Sequence, residues 1–84
     1  MGHELKLYYY EGCPFCDTVL AYMRTHEISI PSIDMMTDPS EMEVLINIGG
    51  KAQAPCLVID GKALYESDDI IQWLESTMGM KSPT

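Results

Sequence analysis

The stretch that most constrains this chain is Gly12-Cys13-Pro14-Phe15-Cys16, which separates two runs of different periodicity. Before it lies Leu5-Lys6-Leu7-Tyr8-Tyr9-Tyr10, apolar and aromatic as a buried parallel strand tends to be. After it, Asp17 to Thr25 places Val19, Leu20 and Met23 on one helical face. A strand feeding directly into a helix puts Cys13 at the helix N-terminus. Unpaired N–H groups converge there, and the helix dipole presents partial positive charge. A thiolate is an anion, so this position makes Cys13 nucleophilic near neutral pH. Cys16 lies one turn further in and can attack a mixed disulfide on Cys13 with little backbone motion. Pro14 falls at the first helical position, where its missing N–H is no loss.

A bare C-x-x-C also occurs in zinc knuckles, at haem attachment sites and as chance pairs of half-buried cysteines. Zinc needs about four ligands, and only Cys56, His3 and His26 remain, none in a second metal-spaced pair. No His follows Cys16, so covalent haem is not indicated. No metal is expected. The strand-then-helix context favours a thioredoxin-like redox pair. Three cysteines are too few and too unevenly spaced for a secreted disulfide scaffold, which points to a reducing, cytoplasmic setting.

Eighty-four residues suffice for one small domain, with a core over about 5–78 and a frayed tail at 79–84. No apolar run approaches the ~20 residues of a membrane helix. Met1-Gly2-His3-Glu4 leads straight into the strand pattern, so no secretory leader is expected. Lys6 stands where a myristoylation signal would carry Ser or Thr. A net charge of −8 argues against nucleic acid and anionic membranes as partners. It serves solubility, or selects among protein partners by charge. Tyr8, Tyr9 and Tyr10 read as sheet faces rather than a base-stacking platform, since no basic residues surround them.

The remaining pattern completes a small α/β fold. Arg24 and His26 suit the negative end of the first helix, with His26 on the surface. Ile28 to Ile33 alternates as a short strand, with Pro31 confined to an edge or bulge. A loop over Asp34–Asp38 leads to a helix over Pro39–Ile48, capped by Asp38, with Met42, Leu45 and Ile46 inward and Gly49-Gly50 as its stop. Leu57-Val58-Ile59, the Asp60-Gly61 turn and Ala63-Leu64-Tyr65 form a hairpin. Ser67 caps the last helix, with Asp68 and Asp69 in its first turn and Ile70, Ile71, Leu74 and Met78 as its buried stripe. The order βαβαββα implies a four-stranded mixed sheet with helices on both faces.

With these elements in place, the chain resembles the glutaredoxins, members of the thioredoxin-fold superfamily. Cys13-Pro14-Phe15-Cys16 is similar to their dithiol motif, with Phe15 where Tyr is usual. Ala54-Pro55 stands where the family carries a cis-proline, and Glu66-Ser67-Asp68 where it holds the γ-glutamyl end of glutathione. Tyr65-Glu66-Ser67 also resembles the glutathione-binding segment of glutathione-transferase N-terminal domains. The resemblance implies Cys13 and Cys16 as the catalytic pair, and Phe15, Gln53, Ala54, Pro55, Glu66, Ser67 and Asp68 as glutathione contacts. Ala54 would pair with the cysteinyl backbone as an added strand. The last helix N-terminus and the Ser67 hydroxyl would take the γ-glutamyl carboxylate, and Asp68 the ammonium. The family's Lys before the first Cys is missing; Tyr10, Glu11 and Gly12 stand there, and Glu11 opposes thiolate formation. Lys51 or Gln53 would then meet the glycyl carboxylate. Cys56 reads as a buried strand cysteine.

The implied function is a glutathione-dependent thiol–disulfide oxidoreductase. It would act on protein disulfides and protein–glutathione mixed disulfides, as a monomer with no tightly bound cofactor and glutathione as co-substrate. Two alternatives stand beside it. One is a thioredoxin-like donor fed by a flavin reductase, separated by its response to glutathione. The other is a glutathione-binding, transferase-type module that does little chemistry. Iron–sulfur bridging between two copies is disfavoured by Pro14 and the second cysteine.

Overall fold

The computed structural model describes residues 3–77. Its elements run β1 (Leu5–Tyr9), α1 (Pro14–Thr25), β2 (Ser32–Asp34), α2 (Pro39–Gly49), β3 (Cys56–Ile59), β4 (Lys62–Tyr65) and α3 (Ser67–Thr77). The sheet order is β2-β1-β3-β4, with β1 parallel to β2 and antiparallel to β3, and β3 antiparallel to β4. This is the βαβαββα thioredoxin fold. Met78 and the tail 79–84 lie outside the described residues.

The period of two along each strand divides the core between the two faces of the sheet. Leu7 and Leu57 join Val19 and Met23 of α1 and Ile70 and Leu74 of α3 on one face. Tyr8, Cys56 and Val58 meet Met35, from the turn after β2, and Leu45 of α2 on the other. Tyr8 is fully buried, and its hydroxyl donates to Glu41 at 2.9 Å, so its polar tip is satisfied where α2 covers the sheet. At the hairpin, Asp60 and Gly61 both have positive φ, 51° and 85°, as a two-residue turn matched to the strand twist requires. Asp60 also clasps the chain start. It accepts from the Glu4 N–H at 2.9 Å and pairs with His3 Nδ1 at 2.7 Å, while the His3 ring meets Trp73 edge-on.

Several boundaries differ from those predicted. β1 ends at Tyr9, and Tyr10 opens the turn to Cys13. The strand expected over Ile28–Ile33 is Ser32–Asp34, so Asp34 belongs to the strand rather than the loop. Pro31 has no N–H for a ladder; its carbonyl accepts from the Leu7 N–H at 2.9 Å, and β2 starts after it at the sheet edge. Ile30 is still buried, filling the core without joining the strand. β3 starts one residue early, at Cys56, and β4 at Lys62. Ser67 is the first helical residue of α3 rather than its cap. The Glu66 carbonyl accepts the first helical bond, from the Ile70 N–H at 3.0 Å, with Glu66 at φ 74°.

In α2, Ile46 faces solvent at 42% exposure rather than the core. The inward stripe runs Met42, Leu45 and Gly49, and Ile46 stands a quarter-turn away from Leu45. Gly50, in the left-handed region at φ 88°, is the stop. Gly49 is the last helical residue and has a packing reason to be glycine. A Cβ there would stand 2.9 Å from the Ala63 Cβ and would collide with the Tyr65 hydroxyl. That hydroxyl donates to the Lys51 carbonyl at 2.9 Å.

Three substitutions test this account by urea denaturation. Leu57→Ala, at a fully buried central-strand position, lowers stability by about 2–5 kcal/mol. Gly49→Ala costs about 1–3 kcal/mol by overpacking, and Ile46→Ala changes stability by no more than about 0.5 kcal/mol.

The carboxyls of Asp38 and Asp60 are both held below their ordinary range. Donation from the Ser40 hydroxyl is the main cause at Asp38, and the Glu4 N–H followed by His3 at Asp60. A carboxyl lowered on folding adds stability above its unfolded value and loses it as pH falls through its folded one. The urea midpoint therefore drops between about pH 5 and about pH 2, and Asp60→Asn makes that drop shallower.

Candidate functional site

The site is assembled at the exit of β1. Gly12 takes φ 90°, a conformation that favours glycine, and turns the chain into α1. Cys13 is the extended N-cap residue, and its Sγ accepts the Cys16 backbone N–H at 3.2 Å. Its carbonyl accepts from the Asp17 N–H at 2.9 Å. The helix therefore directs an orphan amide at the first sulfur, as the position of the motif predicts. Cys13 is 2% exposed and Cys16 fully buried, so Cys13 is approached along a narrow line. Attack of one sulfur on another depends on such access.

Burial pushes the Cys16 thiol up to about 12, and hydrogen bonding with Cys13 adds to the effect. Cys16 is therefore a proton-bearing thiol at neutral pH. Burial likewise pushes Cys56, fully enclosed on the α2 face of the sheet, up to about 11. Tyr10 stands beside the motif. Its phenol is pushed upward, chiefly by the neighbouring Cys13 sulfur.

Three chain segments enclose a cleft of about 480 Å³ next to the dithiol. Phe15 and Thr18 come from the first turns of α1, Gln53, Ala54 and Pro55 from the loop before β3, and Glu66, Ser67 and Asp68 from the start of α3. The Ala54–Pro55 bond is cis. Seven residues expected to contact glutathione lie on this surface: Phe15, Gln53, Ala54, Pro55, Glu66, Ser67 and Asp68. Phe15 is 64% exposed, a large apolar side chain held at the mouth. Cys13 and Cys16 lie behind the wall that the first turn of α1 makes, not on it.

Lys51 is not on the cleft surface. Its ammonium sits 4.6 Å from the centroid of the Tyr65 ring, a cation–π contact that directs it toward β4. Two residues escaped the sequence reading. Thr18 lies three residues after Phe15 on the same helical face, a spacing visible in the sequence. Tyr10 left no such signal, because a third consecutive Tyr reads as strand. His26 caps the C-terminal end of α1, stacked on Tyr22 at 4.2 Å, remote from the cleft. Among the described residues no three His, Cys, Asp or Glu side chains converge to hold a metal ion.

The raised thiols have two testable consequences. In the folded protein at about pH 8, iodoacetamide leaves Cys16 and Cys56 unlabelled, as mass spectrometry of tryptic peptides reads directly. A thiol raised on folding adds no stability below its unfolded value and costs stability as pH climbs above it. The urea midpoint thus falls as pH rises beyond about 9, and Cys56→Ala lessens the fall.

Comparison with known proteins bears on this site. The sequence pattern of the family described as glutathione S-transferase, N-terminal domain, matches residues 7–82. No curated protein sequence matches the chain. Oxidised glutaredoxin 2 from Chlamydomonas reinhardtii superposes with a TM-score of 0.67 at 18% identity, over 94% of this chain and 78% of that one. A diazinon-metabolizing glutathione S-transferase of the silkworm Bombyx mori gives 0.74 at 24% identity, over 99% of this chain and 41% of that one. A beta-etherase from Sphingobium sp. strain SYK-6 gives 0.72 at 28% identity, over 90% and 32%. The chain thus spans less than half the length of the last two. Glutaredoxin and transferase neighbours together mark a glutathione-related thioredoxin fold. Among the described residues no helix is long and apolar enough to cross a membrane.

Proposed function

The chain belongs to the glutathione S-transferase N-terminal domain family, and on that premise we propose that it is a glutaredoxin-type, glutathione-dependent thiol–disulfide oxidoreductase. The observation that carries this reading is the junction of two features: a sulfur receiving an orphan helix amide at 3.2 Å, and a cleft beside it lined by seven of the residues expected to contact glutathione.

In the monothiol route the Cys13 thiolate attacks the glutathione sulfur of a protein–glutathione mixed disulfide. The old S–S bond breaks, and the protein sulfur leaves with the electron pair and takes up a proton. A second glutathione thiolate attacks the glutathione held on Cys13, releasing oxidised glutathione and restoring the Cys13 thiolate. In the dithiol route Cys13 attacks a protein disulfide, and Cys16 loses its proton and displaces the protein, leaving Cys13–Cys16 oxidised. Two glutathiones then reduce that bond. The raised Cys16 thiol suits a resolving group, which needs to ionise only once the mixed disulfide is in place.

Binding follows from the cleft. The first N–H groups of α3 and the Ser67 hydroxyl take the γ-glutamyl carboxylate, and Asp68 accepts from its ammonium. The Ala54 backbone pairs with the cysteinyl residue, Phe15 and Pro55 pack on the tripeptide, and Glu66 borders its γ-glutamyl end. Gln53 meets the glycyl carboxylate, since Lys51 is engaged with Tyr65. Glutathione is a co-substrate here rather than a resident cofactor.

A second reading has one observation in its favour: only 2% of Cys13 is exposed, which suits a module that holds glutathione without turning over. Activity assays on variants separate the two. Cys13→Ser abolishes both protein-disulfide reduction and deglutathionylation, whereas Cys16→Ser removes the first and spares the second. Equal loss in both assays for both variants overturns the division of roles. Glutathione binding by calorimetry with no turnover of either substrate supports the second reading. Asp68→Ala raises the KM for glutathione by about tenfold, the worth of one hydrogen bond to a charged group.

A further inference from the structure

The charge of this chain is distributed unevenly about the dithiol. Glu11 lies in the turn before Cys13, Asp17 in the first turn of α1, Glu66 and Asp68 on the cleft wall, and Asp69 in the first turn of α3. All five are exposed. Among the described residues none of these side chains takes part in an ion pair or accepts a hydrogen bond; the one ion pair is His3–Asp60, at the hairpin. The described cations are placed elsewhere. Arg24 is in the last turn of α1, about 16 Å along the helix from Cys13. Lys62 starts β4, at the end opposite Glu66, and Lys6 and Lys51 lie over the rings of Tyr8 and Tyr65. The cleft wall therefore carries two carboxylates and no basic side chain. Outside the cleft, exposed Glu11 stands two residues before Cys13, and exposed Asp17 stands one helical turn after it, its N–H on the Cys13 carbonyl at 2.9 Å; the ring of Phe15 is exposed between them in sequence.

This arrangement bears on the half of the substrate that the cleft does not hold. Glutathione occupies the cleft in the reading above, on which this inference rests. The polypeptide half of a mixed disulfide then leaves past Phe15, Glu11 and Asp17. We infer that this face selects polypeptide substrates whose modified cysteine is flanked by Lys or Arg, with Phe15 as the apolar contact and Glu11 and Asp17 as the charges that attract the flanking residues. Opposite charge at close range accelerates encounter, and like charge opposes it. The surplus of acidic groups, −8 over the chain, is then more than a device for solubility.

The step is the one already described. Cys13 takes glutathione from the peptide, the peptide sulfur leaves with its electron pair and gains a proton, and free glutathione regenerates Cys13. Two synthetic peptides test the inference, each with one glutathionylated cysteine, one flanked by Lys on both sides and one by Glu. With the full chain and excess glutathione at an ionic strength of about 0.01 M, where charges act over ~30 Å before they are screened, kcat/KM is about tenfold higher for the Lys peptide. At about 1 M salt the ratio falls toward one. The double variant Glu11→Gln, Asp17→Asn lowers the ratio at low salt. Because both peptides meet the same sulfur, the ratio is insensitive to any change in its intrinsic reactivity. A ratio near one at low salt, or one unaffected by the double variant, overturns the inference and leaves the oxidoreductase reading standing. If neither peptide is turned over, the oxidoreductase reading fails and the inference falls with it.

Discussion

The hydrogen bond from the Cys16 amide to the Cys13 sulfur is the contact on which the rest of this structure bears. It exists only because an orphan helix amide and a thiol are brought together at 3.2 Å, and each is fixed by a different part of the fold. The amide is fixed by α1, whose Val19 and Met23 are locked into the core with Ile70 and Leu74 of α3. The sulfur is fixed by β1, which lies inside the sheet with β2 on one side and β3 on the other. Gly12 joins the two with a backbone conformation that side-chain-bearing residues rarely adopt. The small core thus serves mainly to hold a turn of three residues in register with a helix start.

The two cysteines differ through environment alone. The Cys13 sulfur accepts the Cys16 backbone N–H, while the Cys16 sulfur is enclosed and its thiol is pushed up mainly by burial, so one motif holds an acceptor sulfur and a proton-bearing one. Cys56, on the other face of the sheet, shows what burial does without any helix end: its thiol is raised, and it does not line the cleft although its neighbour Pro55 does. The cleft is likewise composite. Its three walls belong to segments far apart in sequence, brought together because β1 and β3 are neighbours and α3 packs against α1.

Much of this was legible in the sequence. Cys13-Pro14-Phe15-Cys16 between a strand and a helix marked the turn where a sulfur meets the start of α1, Asp60-Gly61 the hairpin, and Asp38-Pro39 the start of α2. These are local signals, decided by the preferences of one or two residues. What remained hidden depends on tertiary contacts. Ile28–Ile33 alternates like a strand, yet the ladder begins only after Pro31, because the register is set by β1. Ile46 reads as a core residue until the angular position of α2 is known. Ser67 and Glu66 exchange places at the head of α3, since the cap is defined by which carbonyl accepts the first bond. Lys51 looked available to a carboxylate, and an aromatic ring four residues past the hairpin turn draws it away.

Gly49 has a wider consequence. The helix ending there rests against the Tyr65 hydroxyl, and the residue after Tyr65 begins the approach to the cleft. The absence of one methyl group thus lets a large aromatic ring on β4 slide beneath α2. Positions 49 and 65 behave as a single steric unit. Among related sequences a bulkier residue at the first should be accompanied by a smaller one at the second, and the two should rarely drift independently.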